Sequence, residues 1–425
     1  VTVDMLDLDK MYNAFDLWMN TEVEPRKNYI EENLNKKYEY SDMEIVEELP
    51  VDELITDAKM NYSKYIIEER FLCDYRDGFK PVHRRILWSM KQNNVVSLTK
   101  CHTVAGAVME YHPHGDCYDT IVNLTQKDKQ LIPVIIGKGN FGQNTSRDIQ
   151  YAHARYTECK LSDIAKDMLK DCNKHMVDMV PNYDGTVTIP EVLPVRFPAI
   201  LTYANSGIGV GMSSTSASFN LKELCDVIIT YLKTGERNAL FPDFATGGYL
   251  VVDTDAIRDI NTIGTGTVTL KGKYTVEDNV IRITEIPYGK TREAIIDKII
   301  KLIESGKLPE IDMVKDLTGL KGMCIEITVK KSKRNLIPRI IHDLYEQTPL
   351  KSTFAVNMRM LVDGLPKVIG VWEVIERWLD WRRQCLCRGM EYEINKLEDK
   401  LNVLFGLLKV TEVIENQRKE LKEYG

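Results

Sequence analysis

A multidomain α+β fold is predicted by three observations. Apolar residues recur at helical spacing through residues 52–131, Gly, Thr and β-branched residues alternate like strands within 190–368, and a 3,4-spaced apolar repeat closes the chain. At 425 residues the chain exceeds one ordinary core and should divide into two to four domains. Its 28% charged content suits a soluble protein, and no apolar run approaches the roughly 18 residues a bilayer requires. With no charged-then-apolar leader at the start, an intracellular protein is expected. Nine scattered cysteines without CxxC pairs argue for reduced thiols rather than a disulfide framework or a zinc site.

Taken in order, Met11, Phe15 and Trp18 repeat at helical spacing, and a charged connector over 38–48 reads as a linker. Val82, Ile86 and Met90 form an apolar stripe, with Lys80, Arg84 and Lys91 on another face and Pro81 in the first turn. A second short helix follows Thr103, and a third is expected over about 114–126. The strand-like 131–136 and a Gly-rich loop come next, which is the order of a winged helix-turn-helix. Segments 264–273, 280–285 and 323–329 alternate like strands around a helix at 291–305, predicting an α/β domain. Ile394, Leu397, Leu401, Leu404 and Leu408 then mark a coiled-coil seam that slips at Thr411 and Glu415, as in a helical-hairpin arm. Cys385 and Cys387, two apart on this helix, should face different directions.

Net charge is −7, but residues 1–57 hold 16 acidic and 5 basic side chains, leaving a balance of +4 for the rest. Local patches rather than the sum decide whether a polyanion binds. The chemistry centres on Tyr156 in Arg155-Tyr156-Thr157-Glu158. A phenolate can attack a phosphodiester and, because phenols ionise near pH 10, leave again on resealing. Arg155 can stabilise charge on the phosphoryl oxygens. Taken alone such a pair is weak, since most tyrosines only pack and hydrogen-bond. Its context is the cationic run from Arg70 to Arg85, then His112-Pro113-His114-Gly115-Asp116, then Gly137-Lys138-Gly139-Asn140-Phe141-Gly142, which lacks the Gly-Lys-Ser/Thr ending of a nucleotide P-loop.

In order and nearly in spacing, the strings RDGxKPVHRR, YHPHGD, GxGNFG and RYTE resemble the breakage-reunion core of type IIA DNA topoisomerases, as in the A subunit of bacterial gyrase and topoisomerase IV. The resemblance runs from about Asp52 to the end. It implies a winged-helix DNA-gate domain over 46–195, an α/β tower domain over 196–368 and the start of a truncated antiparallel coiled-coil arm over 369–425. Tyr156 is then the nucleophile of a transient double-strand break, with Arg155 and Arg70 as catalytic partners. Lys80, His83, Arg84, Arg85, His112 and His114 fall on DNA-contacting positions. Ile208, within Asn205-Ser206-Gly207-Ile208-Gly209-Val210-Gly211-Met212, matches the isoleucine that wedges between base pairs.

Two departures qualify the match. Only Cys117 separates HPHGD from the following Tyr-Asp-Thr, where bacterial members have two more residues, so the start of the third helix should shift by about half a turn. At the front, residues 23–33 resemble the tail of the family's B subunit, making 1–45 the end of a Toprim-bearing part and a linker, as in a B-to-A fusion. Asp253-Thr254-Asp255 does not match the Toprim acidic motif. Magnesium is therefore expected from Toprim residues outside this sequence, and ATP from an ATPase domain also outside it. The implied partners are double-stranded DNA, a second copy in a homodimer and the Toprim/ATPase region or B-type subunit, with no membrane. The implied enzyme is an ATP-hydrolysing type IIA topoisomerase, cytoplasmic and nucleoid-associated if bacterial, in host cytoplasm or nucleus if viral. A non-catalytic winged-helix DNA-binding protein and a structural coiled-coil protein are the competing readings.

Overall fold

The structure, a computed structural model, describes residues 8–20, 22–33, 51–113, 115–319 and 322–423. The connector expected at 38–48 lies outside the described residues, as does His114. Helices α1 (Leu8–Met19), α2 (Glu24–Asn33) and α3 (Val51–Ile66) come first, followed by a π-helical turn, Ile67–Phe71. Trp18, Ile30, Met60, Ile67 and Phe71 pack into their shared core. Phe15 is exposed on this helix, while Trp18 is buried. Ala14 and Trp18, four apart, take the inner face of α1, and Phe15 is turned about 100° away from Ala14.

The next unit holds α4 (Pro81–Gln92), β1 (Thr99–Lys100), α5 (Cys101–Val108), α6 (Tyr118–Thr125), β2 (Ile135–Lys138), β3 (Glu158–Leu161), α7 (Asp163–Leu169) and the short hairpin β4 (Met179–Pro181) and β5 (Thr188–Pro190). Strands β1, β3 and β2 form an antiparallel sheet with β3 in the centre. Ile86 and Met90 of α4 pack with Val104 of α5, Ile121 of α6 and Ile135 and Leu161 of the sheet.

Three boundaries differ from the sequence reading, the first being α5, which begins at Cys101 rather than after Thr103. Helix α6 begins at Tyr118 rather than 114, because Gly115 takes φ +58° and Asp116 Oδ1 accepts the Tyr118 N–H at 2.9 Å, closing a turn ahead of the helix. Strand β2 begins at Ile135 because Pro133 has no N–H to give a ladder.

The middle of the chain continues with β6 (Asn205–Ile208), β7 (Ser213–Ser216), α8 (Leu221–Thr234), β8 (Tyr249–Val251), α9 (Thr254–Thr262), β9 (Thr265–Lys271), β10 (Lys273–Glu277), β11 (Val280–Glu285), α10 (Arg292–Glu304), β12 (Ile311–Asp316), β13 (Ile325–Val329), α11 (Ile337–Gln347), β14 (Lys351–Asn357) and the hairpin β15 (Arg359–Val362) and β16 (Leu365–Val368). A five-stranded sheet runs β6-β7-β14-β9-β8 and a four-stranded sheet β10-β11-β13-β12. Each has its own core, the first closed by Leu224, Ile228, Ile257 and Ile260 and the second by Ile295, Ile299, Ile340 and Leu344. The single strand read at 264–273 is two. Gly272 breaks it where its N–H reaches Leu350 O at 2.8 Å, and a Cβ there would lie 2.4 Å from the Leu350 side chain.

Helix α12 (Val371–Glu423) ends the chain as one rod of 53 residues, about 80 Å long. Trp372, Ile375 and Trp378 anchor its first turns in the body. Cys385 faces inward and Cys387 outward. The seam residues Ile394, Leu397, Leu401, Leu404 and Leu408 are all at least half exposed. Among the described residues no helix is long and apolar enough to cross a membrane.

Candidate functional site

Tyr156 stands on a turn that leads into β3, and its side chain is 65% exposed. The turn itself is fixed. The buried Thr157 shares a hydrogen bond with the Tyr118 hydroxyl at 2.8 Å, Tyr118 donates to Ala152 O at 2.7 Å, and the Cys101 N–H reaches Thr157 O at 3.0 Å. Helices α5 and α6 thus hold the backbone while the phenol projects freely. Arg155 lies with its guanidinium 4.9 Å from the Tyr156 ring centroid, a cation–π contact. Glu158 sits between Lys100 and Lys138 in the sheet register, 3.0 and 3.9 Å from their amines. Lys100 first and Lys138 last hold its carboxyl below the usual range. The sequence reading missed Lys100, Tyr118 and Thr157, whose roles arise only from strand register and helix packing.

The basic helix α4 does not present its cations uniformly. Arg84 is held by the fully buried Asp77, with Nε donating at 2.6 Å and Nη2 at 3.1 Å, while Asp77 also accepts the N–H groups of Phe79 and Leu193. Arg85 donates to His112 Nδ1 at 3.1 Å and pairs with Glu69 at 2.8 Å. Since a guanidinium only donates, His112 Nδ1 accepts and its ring proton is on Nε2. This chain of contacts joins the His112-Pro113 loop to the turn that carries Arg70, whose own guanidinium lies 5.6 Å from the Tyr65 ring centroid. Lys80 reaches across to Ser206 O at 3.3 Å, tying α4 to β6.

His83 is half-buried, edge-on to Phe79 at 6.4 Å. Burial, then Lys80, Lys129 and Arg84, push its pKa down to about 3. It is therefore neutral at physiological pH and can meet a phosphate only as a hydrogen-bond donor. The unfolded imidazole titrates near 6.5, so the unfolded chain binds the extra proton as pH drops below that value. The stability that His83 contributes is complete above pH 6.5 and is lost as pH falls toward 3. His83→Asn should accordingly lose about 2 kcal/mol less stability than the wild type between roughly pH 7.5 and 5, measured by urea denaturation. Equal losses would mean that His83 is solvated.

Ile208 is 90% exposed at the end of β6, where the β6–β7 hairpin turns. Gly207 and Gly209 on either side lie flat on the buried Phe71: a Cβ on either would come within 2.7 Å of its ring. Alternation along the strand then forces Ile208 outward. Phe71 follows Arg70 directly, so the hairpin rests on the arginine's own turn.

The loop between β2 and Tyr156 is clamped by the first turn of α10. Arg292 donates to Gln143 Oε1 at 2.7 Å and its N–H to Thr145 O at 2.9 Å, and Glu293 accepts from Ser146 Oγ and from the Arg147 N–H. For the magnesium implied by the resemblance, the described residues offer no convergent group of three or more His, Cys, Asp or Glu side chains. Asp253 caps α9 instead, accepting the N–H groups of Asp255 and Ala256. The described residues do not fit the ion.

Residues 70–423 match the family of DNA gyrase/topoisomerase IV A subunits, and the chain belongs to that family of type IIA topoisomerases. Among individual relatives it is 33% identical to the DNA gyrase A subunit of Borrelia hermsii over 86% of this chain and 47% of the relative. It is 36% identical to that of Borreliella burgdorferi over 84% and 46%, and 35% identical to that of Staphylococcus aureus over 82% and 41%. The chain spans about half the length of the curated relatives it matches.

Proposed function

We propose that this chain is the DNA-gate core of a type IIA topoisomerase, with Tyr156 as the nucleophile. The observation that carries it is a solvent-facing phenol on a rigid turn with a guanidinium across its ring, inside the stretch that matches the family. The Tyr156 oxygen attacks a backbone phosphorus, forming a 5′-phosphotyrosine as the bond to the 3′ oxygen breaks. The phenolic proton is lost and the departing 3′ oxygen gains one, so the step exchanges one ester for another and is reversible. Arg155, assisted by Arg70, stabilises the phosphoryl oxygens. Two copies make a staggered double-strand break, through which a second duplex passes.

In this reading residues 46–195 form the winged-helix gate, 196–368 the tower, 369–425 the start of the coiled-coil arm and 1–45 the tail of a Toprim-bearing part. Lys80, His83, Arg85, His112 and His114 contact the duplex, and Arg84 supports them through Asp77. Magnesium and ATP are bound by Toprim and ATPase regions elsewhere in the parent protein or in a B-type subunit, in the cytoplasm at the nucleoid of a bacterial cell. The test is to incubate the chain with duplex DNA, magnesium and a Toprim-bearing partner, quench with detergent, and search tryptic peptides for a nucleotide on Tyr156. A DNA-free peptide in every trial would reduce the chain to a DNA clamp.

Ile208 is proposed to bend the gate by wedging into a base step. Because it is 90% exposed, Ile208→Ala should leave stability within about 0.5 kcal/mol. It should lower duplex bending, read by energy transfer between end labels, and cut cleavage about tenfold, since unstacking a step involves a few kcal/mol. Unchanged bending would remove the wedge from the mechanism.

A further inference from the structure

Where α4, the end of α6, the start of β6 and the turn before α10 meet, a cavity of about 460 Å³ opens. Lys80, Lys129 and Lys290 line it together with His83, Asn123 and Gln130, and no carboxylate is among its lining residues. The Lys80 and Lys129 ammonium groups repel one another, and Lys290 lines the same hollow. The Lys129 pKa is lowered by burial first and by Lys80 second, with Asp128 opposing the shift. Its amine donates to Asn123 Oδ1 at 2.7 Å, and its carbonyl accepts from Tyr288 at 3.2 Å, so it is held at the rim rather than swinging free. Gln130 is nine-tenths buried and its Oε1 has no hydrogen-bond partner. A hollow lined by three lysines with no carboxylate among its lining residues favours an anion.

We propose that Lys129 and Lys290 complete, with Lys80, a pocket for one backbone phosphate of the gate duplex. The inference rests on the DNA-gate reading and adds two contacts to it. Lys80 also bonds Ser206 O, two residues before Ile208, so a phosphate seated here would fix the duplex against the strand that carries the wedge.

Affinity of the full chain for a labelled duplex of roughly 30 base pairs, measured by anisotropy over about 50 to 300 mM KCl, tests this. Lys129→Gln/Lys290→Gln should weaken binding about tenfold at the middle of that range and reduce the salt slope by about 0.9, the loss of one phosphate contact. The control Lys307→Gln, about 20 Å away beyond the far end of α10, should match the wild type. Thermal melts confirm that each variant is folded. If the double variant keeps wild-type affinity and slope while Lys80→Gln weakens binding, the pocket is wrong and the gate reading stands. Weaker binding with an unchanged slope also overturns it, marking the lysines as merely structural. A wild-type chain that binds no duplex sinks both.

Discussion

Tyr156→Phe leaves the fold and duplex affinity unchanged and removes every covalent protein–DNA adduct. The phenol oxygen is the only atom deleted. The side chain is 65% exposed, and the turn beneath it is held by Thr157, Tyr118 and the Cys101 N–H rather than by the Tyr156 hydroxyl. The stability change should therefore stay within about 0.5 kcal/mol. The Arg155 contact survives because a guanidinium binds the face of a phenyl ring as it does that of a phenol. Cleavage has no comparable reserve, because Phe offers no atom to form the ester. Detergent-trapped adduct should drop below detection in the presence of the metal-binding partner, with the anisotropy binding curve within about twofold of wild type. Adduct persisting in the Tyr156→Phe variant at near wild-type levels would assign the nucleophile to another residue.

Asp77→Ala should cost about 3–5 kcal/mol. The carboxylate is fully buried and receives four hydrogen bonds, two from Arg84 and two from the Phe79 and Leu193 backbones. Removing it strands a guanidinium whose side chain is only 11% exposed and leaves two backbone N–H groups without their acceptor. Asp77→Ala/Arg84→Met, which removes both charges, should recover part of the loss. The measurement is the urea midpoint of the transition that reports α4, for example by amide exchange. A shift worth under about 1 kcal/mol would show that water reaches the pair.

Much of this architecture was readable in the chain because local rules governed it. Pro81 at the first position of α4, the stripe Ile86 and Met90, and the alternation of β11 each act within a few residues. The spacing of Met11, Phe15 and Trp18 gave the helix but not which of its faces meets a neighbour, and Phe15 is exposed. Site residues divided in the same way. Arg155 and Tyr156 adjoin in sequence, so their contact was foreseeable. The commitment of Arg84 to Asp77 was not, since a run of cations does not say which member is buried. Lys129 and Lys290 are 161 residues apart and meet only through the fold. The string Asp77-Gly78 carried one usable signal: Gly78 adopts φ +75° against the Ala199–Ile200 backbone, which marks a close approach beside a carboxylate.

The clamp between the loop at 143–147 and the first turn of α10 ties the four-stranded unit to the segment that leads to Tyr156. Four hydrogen bonds join the two, so a rotation of that unit either drags the loop along or shears the bonds. The segment from 143 to 147 is thereby fixed to a neighbouring unit at one end while its other end runs on toward position 156.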